Sequence, residues 1–379
     1  MIIDVCKFGG SSLANTSKIK HVAEIITTHT KTAQVIVVLS AMQGETERLL
    51  NLASELVPLP KGRDLDFLLA TGEQASTALM ALYLNSLGIK AKAFDARMIG
   101  LMGVGSHQSA LVKSLDKSAI KQCLAEGIVP IITGFQVVLP NLEVATLERG
   151  GSDTSAVALA AAFAANCYIY SDVAGVYSAD PNKVSQARQW PEVAYSDMLA
   201  LSKVGAKVLQ YRAIELARKY QVPLILKSTF DDKTQTRVIE NGAIVGNFFG
   251  LAITGNKYIM QVPEALGLEN LLASKVVFSQ LQLTNSYFSA VVAQEYLSMV
   301  KVLPGVKVSP LLTCLNLVGL QDRYKPDLLQ DMLQELANAE IKPYTFAAYE
   351  HGLEFWLLAE EAEQAANILN DFSLSDAVA

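Results

Sequence analysis

The sequence has no surplus of positive charge: 31 Lys and Arg stand against 37 Asp and Glu, for a formal net charge of -6. Nothing in that balance draws in a nucleic acid or an anionic membrane, so any bound phosphate must be held by local groups. Charged residues make up only 18% of the chain. They lie scattered through periodic apolar segments rather than in blocks, which excludes a self-repelling disordered chain. No apolar run reaches the ~18 residues of a spanning helix, and the start MIIDVCKFGG lacks the basic stretch and apolar core of a signal peptide. A soluble, cytoplasmic protein is expected. Cysteine is sparse as well, with four in the chain. Cys6, Cys167 and Cys314 fall in strand-like runs and Cys123 in a helical one. None forms a CxxC unit or clusters with His, so they are expected as reduced core residues, and no protein-held metal site is expected.

What the chain does have is 379 residues of 51% hydrophobic composition, enough for two or three domains. Ile2–Lys7 reads as a strand broken by Gly9-Gly10-Ser11-Ser12, followed by a helix over 16–28. Gln34–Leu39 is a continuous apolar strand of the kind buried on both faces, with a helix after Ser40. Apolar positions through 64–87 predict helix, with Gly72-Glu73 read as the start of the stretch 73–87. A strand over 90–94, a helix over 114–125 and a strand over 128–132 continue the alternation, although Pro130 argues against a central strand. Residues 136–148 suggest a short hairpin or flap. Arg149-Gly150-Gly151-Ser152-Asp153 then opens an alanine-rich helix over 154–165, and a strand over 167–170 ends at Ser171-Asp172.

This alternation predicts an open, predominantly parallel α/β sheet whose chemistry resides at the strand ends. A polar, glycine-punctuated stretch around 229–250 marks the best boundary, giving domains 1–246 and 251–379. Beyond it, short strands near 257–262, 276–283 and 287–293 alternate with helices near 264–272 and 295–302. A βαββα pattern then runs from Leu315 to about 370.

Lys7 stands at the end of the first strand, where the strand aims its ammonium group and Gly9 and Gly10 let backbone N–H groups approach an anion. The plain alternative is an ordinary turn, and GxxxxGK[ST] is absent, so this is no P-loop. Ser152 or Asp153 at the following helix start would cap backbone donors while other N–H groups face an anion, and Arg149 suits a carboxylate; simple capping beside a surface Arg is the bland reading. Glu73, at its expected helix end, suits a substrate ammonium or merely the helix dipole. Ser40 and Thr46 are hydroxyls at a strand end and a helix start, uninformative alone. Ser171, Asp172, Tyr177, Asp180 and Lys207 are candidates for nucleotide contacts, against loop packing and a solvent-facing lysine.

Taken together, Lys7-Phe8-Gly9-Gly10-Ser11-Ser12, Ser40-Ala41-Met42 with Thr46, Gly72-Glu73, Arg149–Thr154, Asp172–Pro181 and Gly205-Ala206-Lys207-Val208-Leu209 resemble the aspartate kinases of the amino-acid-kinase family. The likeness covers nearly all of residues 1–230. It implies an amino-acid-kinase fold followed by a smaller, paired ACT-like α/β regulatory region. It also implies ATP and Mg2+ as cofactors, L-aspartate as acceptor, an amino-acid effector, and a homodimer or larger homo-oligomer.

Carried over by position, Lys7 and Asp153 are the catalytic pair, and Ser40, Thr46, Glu73, Arg149, Ser152 and Asp153 bind aspartate. Glu73 takes the amino group, Arg149 the α-carboxylate. Lys7, Gly9, Gly10, Ser171, Asp172, Tyr177, Asp180 and Lys207 face the nucleotide. The chain departs from the family pattern in four places: Gln136–Leu142 replaces a glycine-rich segment, Glu148 replaces a glycine, Gln210-Tyr211 replaces His-Pro, and Gly319–Tyr324 lacks a glycine-rich effector pattern. Two further readings stay open, a kinase for another carboxylate such as N-acetylglutamate, and a ligand-sensing regulatory protein with weakened catalysis.

Overall fold

The computed structural model describes residues 2–148, 150–206, 208–231, 234–242, 248–264, 276–283, 287–319, 326–349 and 352–375. The chain divides into two compact units. The first comprises Met1–Val176, Gln189–Ser202 and Lys207–Ala243; the second comprises Tyr177–Arg188, Lys203–Ala206 and Ile244–Ala379.

The first unit begins β1 (Ile3–Phe8), α1 (Thr16–Thr30), β2 (Gln34–Leu39), α2 (Glu45–Leu56), α3 (Arg63–Ser86) and β3 (Ala91–Phe94). It continues β4 (Leu101–Val104), β5 (Leu111–Leu115), α4 (Ser118–Ala125), β6 (Val129–Thr133), β7 (Gln136–Val138), β8 (Val144–Thr146), α5 (Gly151–Phe163) and β9 (Asn166–Ser171). After the short pair β10 (Val176–Tyr177) and β11 (Gln189–Trp190) come β12 (Glu192–Ala194), α6 (Tyr195–Lys203), α7 (Tyr211–Tyr220), β13 (Leu224–Ser228) and β14 (Gln235–Ile239).

The main sheet has the order β12-β14-β13-β9-β1-β2-β6-β3. From β13 to β3 every pairing is parallel, and only β14 runs antiparallel to its neighbour β13. Helix α1 shows why the local sequence folds this way: the Asn15 side chain accepts from Lys18 N at 3.0 Å to start it, and Ile19, Val22, Ala23 and Ile26 recur at helical spacing to be buried. They join Cys6, Phe8, Val35, Val37 and Leu39 from β1 and β2, with Met80 and Leu84 of α3, in one core. Helix α5 packs on β1, β2 and β9.

Three local expectations need correction. Residues 111–115 form β5, and the helix expected from 114 starts only at Ser118, where the Asp116 carboxylate accepts from Ser118 N. Pro130 does sit within an interior strand; its register partner is Lys92 of β3, while pairing with β2 begins one residue later at Ile131, so no ladder to β2 is broken. The helix containing Glu73 is continuous from Arg63 to Ser86, so Glu73 lies mid-helix instead of at an end. Gly72 misled the reading because it is a packing notch: a Cβ there would come within 2.9 Å of Ala41 Cβ. The expected flap is present, with β7 and β8 antiparallel in the sheet β5-β4-β7-β8.

The second unit continues with β15 (Gly250–Pro263), β16 (Phe278–Leu283), β17 (Tyr287–Ala293), α8 (Leu297–Lys301), β18 (Lys307–Val308), β19 (Leu312–Val318), α9 (Pro326–Asn338), β20 (Thr345–Tyr349), β21 (Gly352–Leu358) and α10 (Ala362–Ser375). Its sheet runs β16-β17-β15-β19-β21-β20, with β18 on β15. The stretch from β19 to α10 is the expected βαββα. Leu328, Met332 and Leu336 of α9 and Ala365, Ala366 and Leu369 of α10 cover Leu315, Leu317, Leu353, Phe355 and Leu357 on one sheet face. Ala179 and Val184, from the Tyr177–Arg188 segment, belong to this same core. The helix expected at 264–272 falls largely, and the Gly319–Tyr324 departure almost wholly, outside the described residues. All four cysteines are buried and free, and burial pushes the thiols of Cys6, Cys167 and Cys314 well above their usual range.

Candidate functional site

The carboxyl ends of β1, β2, β6, β9 and β13 meet along one edge of the main sheet. Lys7 is the penultimate residue of β1, and its register partner on β2 is Val38. After Phe8 the chain makes a 3-10 turn over Gly10–Leu13, with Ser12 N donating to Gly9 O at 3.1 Å. A Cβ at Gly10 would lie 3.0 Å from Ala41 O and 3.4 Å from Gln43 N, so the absence of a side chain lets the loops after β1 and β2 touch. Gly9 N donates to Tyr170 O at 3.3 Å, and Ser40 N to Phe8 O at 3.1 Å, fixing the loop between β9 and β2.

Lys7 Nζ lies 2.6 Å from Asp153 Oδ1, both side chains being about nine-tenths buried. Asp153 comes from the first turn of α5. That helix is not capped by Ser152 or Asp153 as the sequence suggested; its N-cap is Gly150, in the left-handed region at φ 80°. The side chains of Ser152 and Asp153 are therefore released from capping. Ser152 packs on Gly134, where a Cβ would come within 2.6 Å of it, and Asp153 turns to the lysine. The Lys7 contact leaves Asp153 Oδ1 without an in-line hydrogen bond, so the pair is held by charge more than by direction.

Glu73 is 3% exposed in the middle of α3. Its Oε1 accepts from Ala41 N at 3.0 Å, while Oε2 is buried with no hydrogen-bond partner among the described residues. Burial raises its pKa from 4.5 to about 7, the Ala41 N–H opposing the shift only in part. Ser40, just past β2, presents its carbonyl to Ser76 Oγ at 2.7 Å, and Thr46 is half-buried in the first turn of α2.

On the other flank, Ser11 Oγ lies 3.5 Å from Asp172 Oδ1, and Ser171 Oγ closes a turn with Val173. Asp180 and Tyr177 fall in the second unit, where the Asp180 carboxylate accepts from Asn182 N at 3.0 Å and so shapes its own turn. Arg149 and Lys207 lie outside the described residues. Sequence reasoning missed Thr229, which meets Ser12 Oγ at 2.6 Å and donates its N–H to Ser171 O at 2.8 Å. It also missed Thr133, whose buried hydroxyl at the end of β6 has no partner among the described residues. Neither carries a local signal: Thr133 is a single hydroxyl ending an apolar strand, and Thr229 follows a strand that already ends in Ser228.

Asp66, earlier on α3, was missed too. It accepts from His107 Nδ1, Gln108 N, Gln108 Nε2, Thr146 N and Thr146 Oγ1 at 2.6–3.1 Å, tying the flap to the helix.

Residues 3–228 match the model of the amino acid kinase family. The chain belongs to that family. Among curated relatives of this amino-acid kinase, an aspartokinase from Geobacillus stearothermophilus is 41% identical over 276 residues, 72% of this chain and 68% of that one. One from Mycobacterium tuberculosis is 42% identical over 242 residues, 63% of this chain and 58% of its own length. The matched segment thus spans somewhat over half to two thirds of those proteins. The crystal structure of E. coli aspartokinase III in complex with aspartate and ADP superposes with a TM-score of 0.77 at 22% identity, covering 98% of this chain and 99% of that one. The fold is therefore an amino-acid-kinase sheet followed by a smaller C-terminal α/β region of ACT-like form, and the kinase is homologous to aspartokinases. No helix among the described residues is long and apolar enough to cross a membrane.

Proposed function

We propose that this kinase transfers the γ-phosphoryl group of ATP to the side-chain carboxylate of L-aspartate, giving 4-phospho-L-aspartate and ADP. The observation that carries the choice of acceptor is the open oxygen of Glu73. A buried carboxylate short of donors is satisfied by a free ammonium group, which supplies both the hydrogen bond and the charge. An acylated amine, as in N-acetylglutamate, supplies no charge.

The acceptor carboxylate is already ionised near neutral pH, so no strong general base is needed. Lys7, held by Asp153 beside the Gly9-Gly10 loop, takes up charge on the transferring phosphoryl group, and orientation with exclusion of water supplies much of the rest. Ser152, Ser40, Thr46 and Arg149 are assigned to the acceptor, Arg149 to its α-carboxylate. Gly9, Gly10, Ser171 and Asp172 are assigned to the nucleotide on their positions at this sheet edge, and Tyr177, Asp180 and Lys207 on resemblance.

Among the described residues no three His, Cys, Asp or Glu side chains converge on a metal site. The Asp172 carboxylate, beside Ser11 Oγ at this sheet edge, would suit a Mg2+ carried in with the nucleotide, an ion that needs few protein ligands. Such an ion, when bound, would supply positive charge to offset that of the donor phosphates. Homo-oligomeric assembly and an amino-acid effector are further parts of the proposal.

Incubation with Mg-ATP and a panel of amino acids, with ADP measured and acyl phosphate trapped by hydroxylamine, tests the reading. Hydroxamate is expected from L-aspartate and not from N-acetylglutamate. Folded protein that makes no aspartate-dependent ADP would overturn it.

A further inference from the structure

Two departures from the family pattern, Glu148 and Gln210, border one cavity. Glu148 follows β8, and Gln210 is the N-cap of α7. Arg212, in the first turn of α7, donates from Nη2 to Glu148 Oε1 at 2.7 Å, the two side chains being 36% and 39% exposed. Gln210 Oε1 lies 2.9 Å from where a Cβ of Gly150 would stand, and Gly150 holds φ +80°. One helix start therefore clasps both chain neighbours of position 149. Glu148, Gln210 and Arg212, with Thr154, Tyr211 and Leu216, border a cavity of about 760 Å³ beside the first turn of α5. Arg212 Nη1 is buried and has no hydrogen-bond partner among the described residues, so the Glu148 carboxylate is the hydrogen-bonding acceptor found for this guanidinium.

A glutamate next in sequence to an arginine assigned to the substrate's α-carboxylate creates a conflict. Its negative charge either pairs with that arginine or repels the incoming carboxylate, and both weaken acceptor binding. We propose that Arg212 is a positioning residue that sequesters Glu148, keeping its charge off the acceptor site and so preserving affinity for an amino-acid carboxylate. The inference rests on the assignment of Arg149 made under the proposed function.

The decisive comparison is R212Q against E148Q/R212Q in the full chain, with R212K as a milder variant that keeps the charge. R212Q is expected to raise KM for L-aspartate roughly threefold to fivefold, the effect of one part-exposed charge neighbour, and more at low salt. KM for ATP is expected to stay put, and R212K to fall between R212Q and wild type. E148Q/R212Q is expected to return KM for L-aspartate to within about twofold of wild type. A double variant no better than R212Q, or a parallel rise in KM for ATP, would mean that Arg212 only supports packing and would overturn the proposal. Wild-type protein lacking aspartate-dependent turnover would instead sink the functional reading. The clasp is then read by amide hydrogen exchange over 147–154, where several-fold faster exchange in R212Q supports it and unchanged exchange refutes it.

Discussion

Asp66 and Glu73 lie on the same face of α3, both out of solvent, at 0% and 3% exposure. Asp66 is met on both oxygens by donors from His107, Gln108 and Thr146. Glu73 receives the Ala41 N–H on one oxygen and, among the described residues, nothing on the other. The contrast separates two uses of a buried carboxylate. One is saturated by the protein's own donors and fastens the flap sheet to the helix. The other is left short among the described residues, and its proposed role toward a substrate ammonium group rests on that shortage.

The largest effect that sharpens the contrast is expected from D66A. Stranding the donors of His107, Gln108 and Thr146 should cost on the order of 3–5 kcal/mol in urea unfolding, and a loss under about 1 kcal/mol would show that Asp66 is no fastener.

Next comes the pH dependence of Glu73, whose folded pKa of about 7 lies above its ordinary 4.5. Between those values the unfolded chain holds fewer protons than the folded one, so Glu73's contribution is fully present below about 4.5 and lost as pH rises through 7. The loss is about 3 kcal/mol. E73Q lacks this slope and keeps an acceptor for Ala41 N–H, so its stability relative to wild type should climb by about that amount between pH 4.5 and 8. Parallel stability curves would erase the distinction between the two acids.

For acceptor binding, E73Q should raise KM for L-aspartate roughly 30-fold, about 2 kcal/mol, through loss of the charge that meets the ammonium group. An unchanged KM would place the amino group elsewhere. The smallest effect is expected from H107Q, which removes one of several donors to Asp66 and should cost about 1 kcal/mol by the same unfolding assay.

Much of the frame was legible in the sequence because it rests on local patterns. Lys7 and Gly9-Gly10 announce a strand and its turn, Gln34–Leu39 a buried strand, and the run from Leu315 to about 370 a βαββα unit. What stayed hidden was set by distant partners. Gly72 looks like punctuation until Ala41 is seen pressed against it. Ser152 and Asp153 look like caps until Gly150 takes the left-handed turn in their place. The Asp66 network joins a helix, a loop and a strand that no periodicity connects.

The threading of the chain sets a limit on dissecting this enzyme. Its path leaves the first unit at Tyr177, returns at Gln189, leaves again at Lys203 and returns at Lys207, all before the boundary at Ile244. A gene ending at codon 243 would strip Ala179 and Val184 of Phe248, Leu251 and the sheet residues they are buried with. Such a fragment would carry an orphaned apolar excursion in its midst, so the two units cannot be parted here with a single cut.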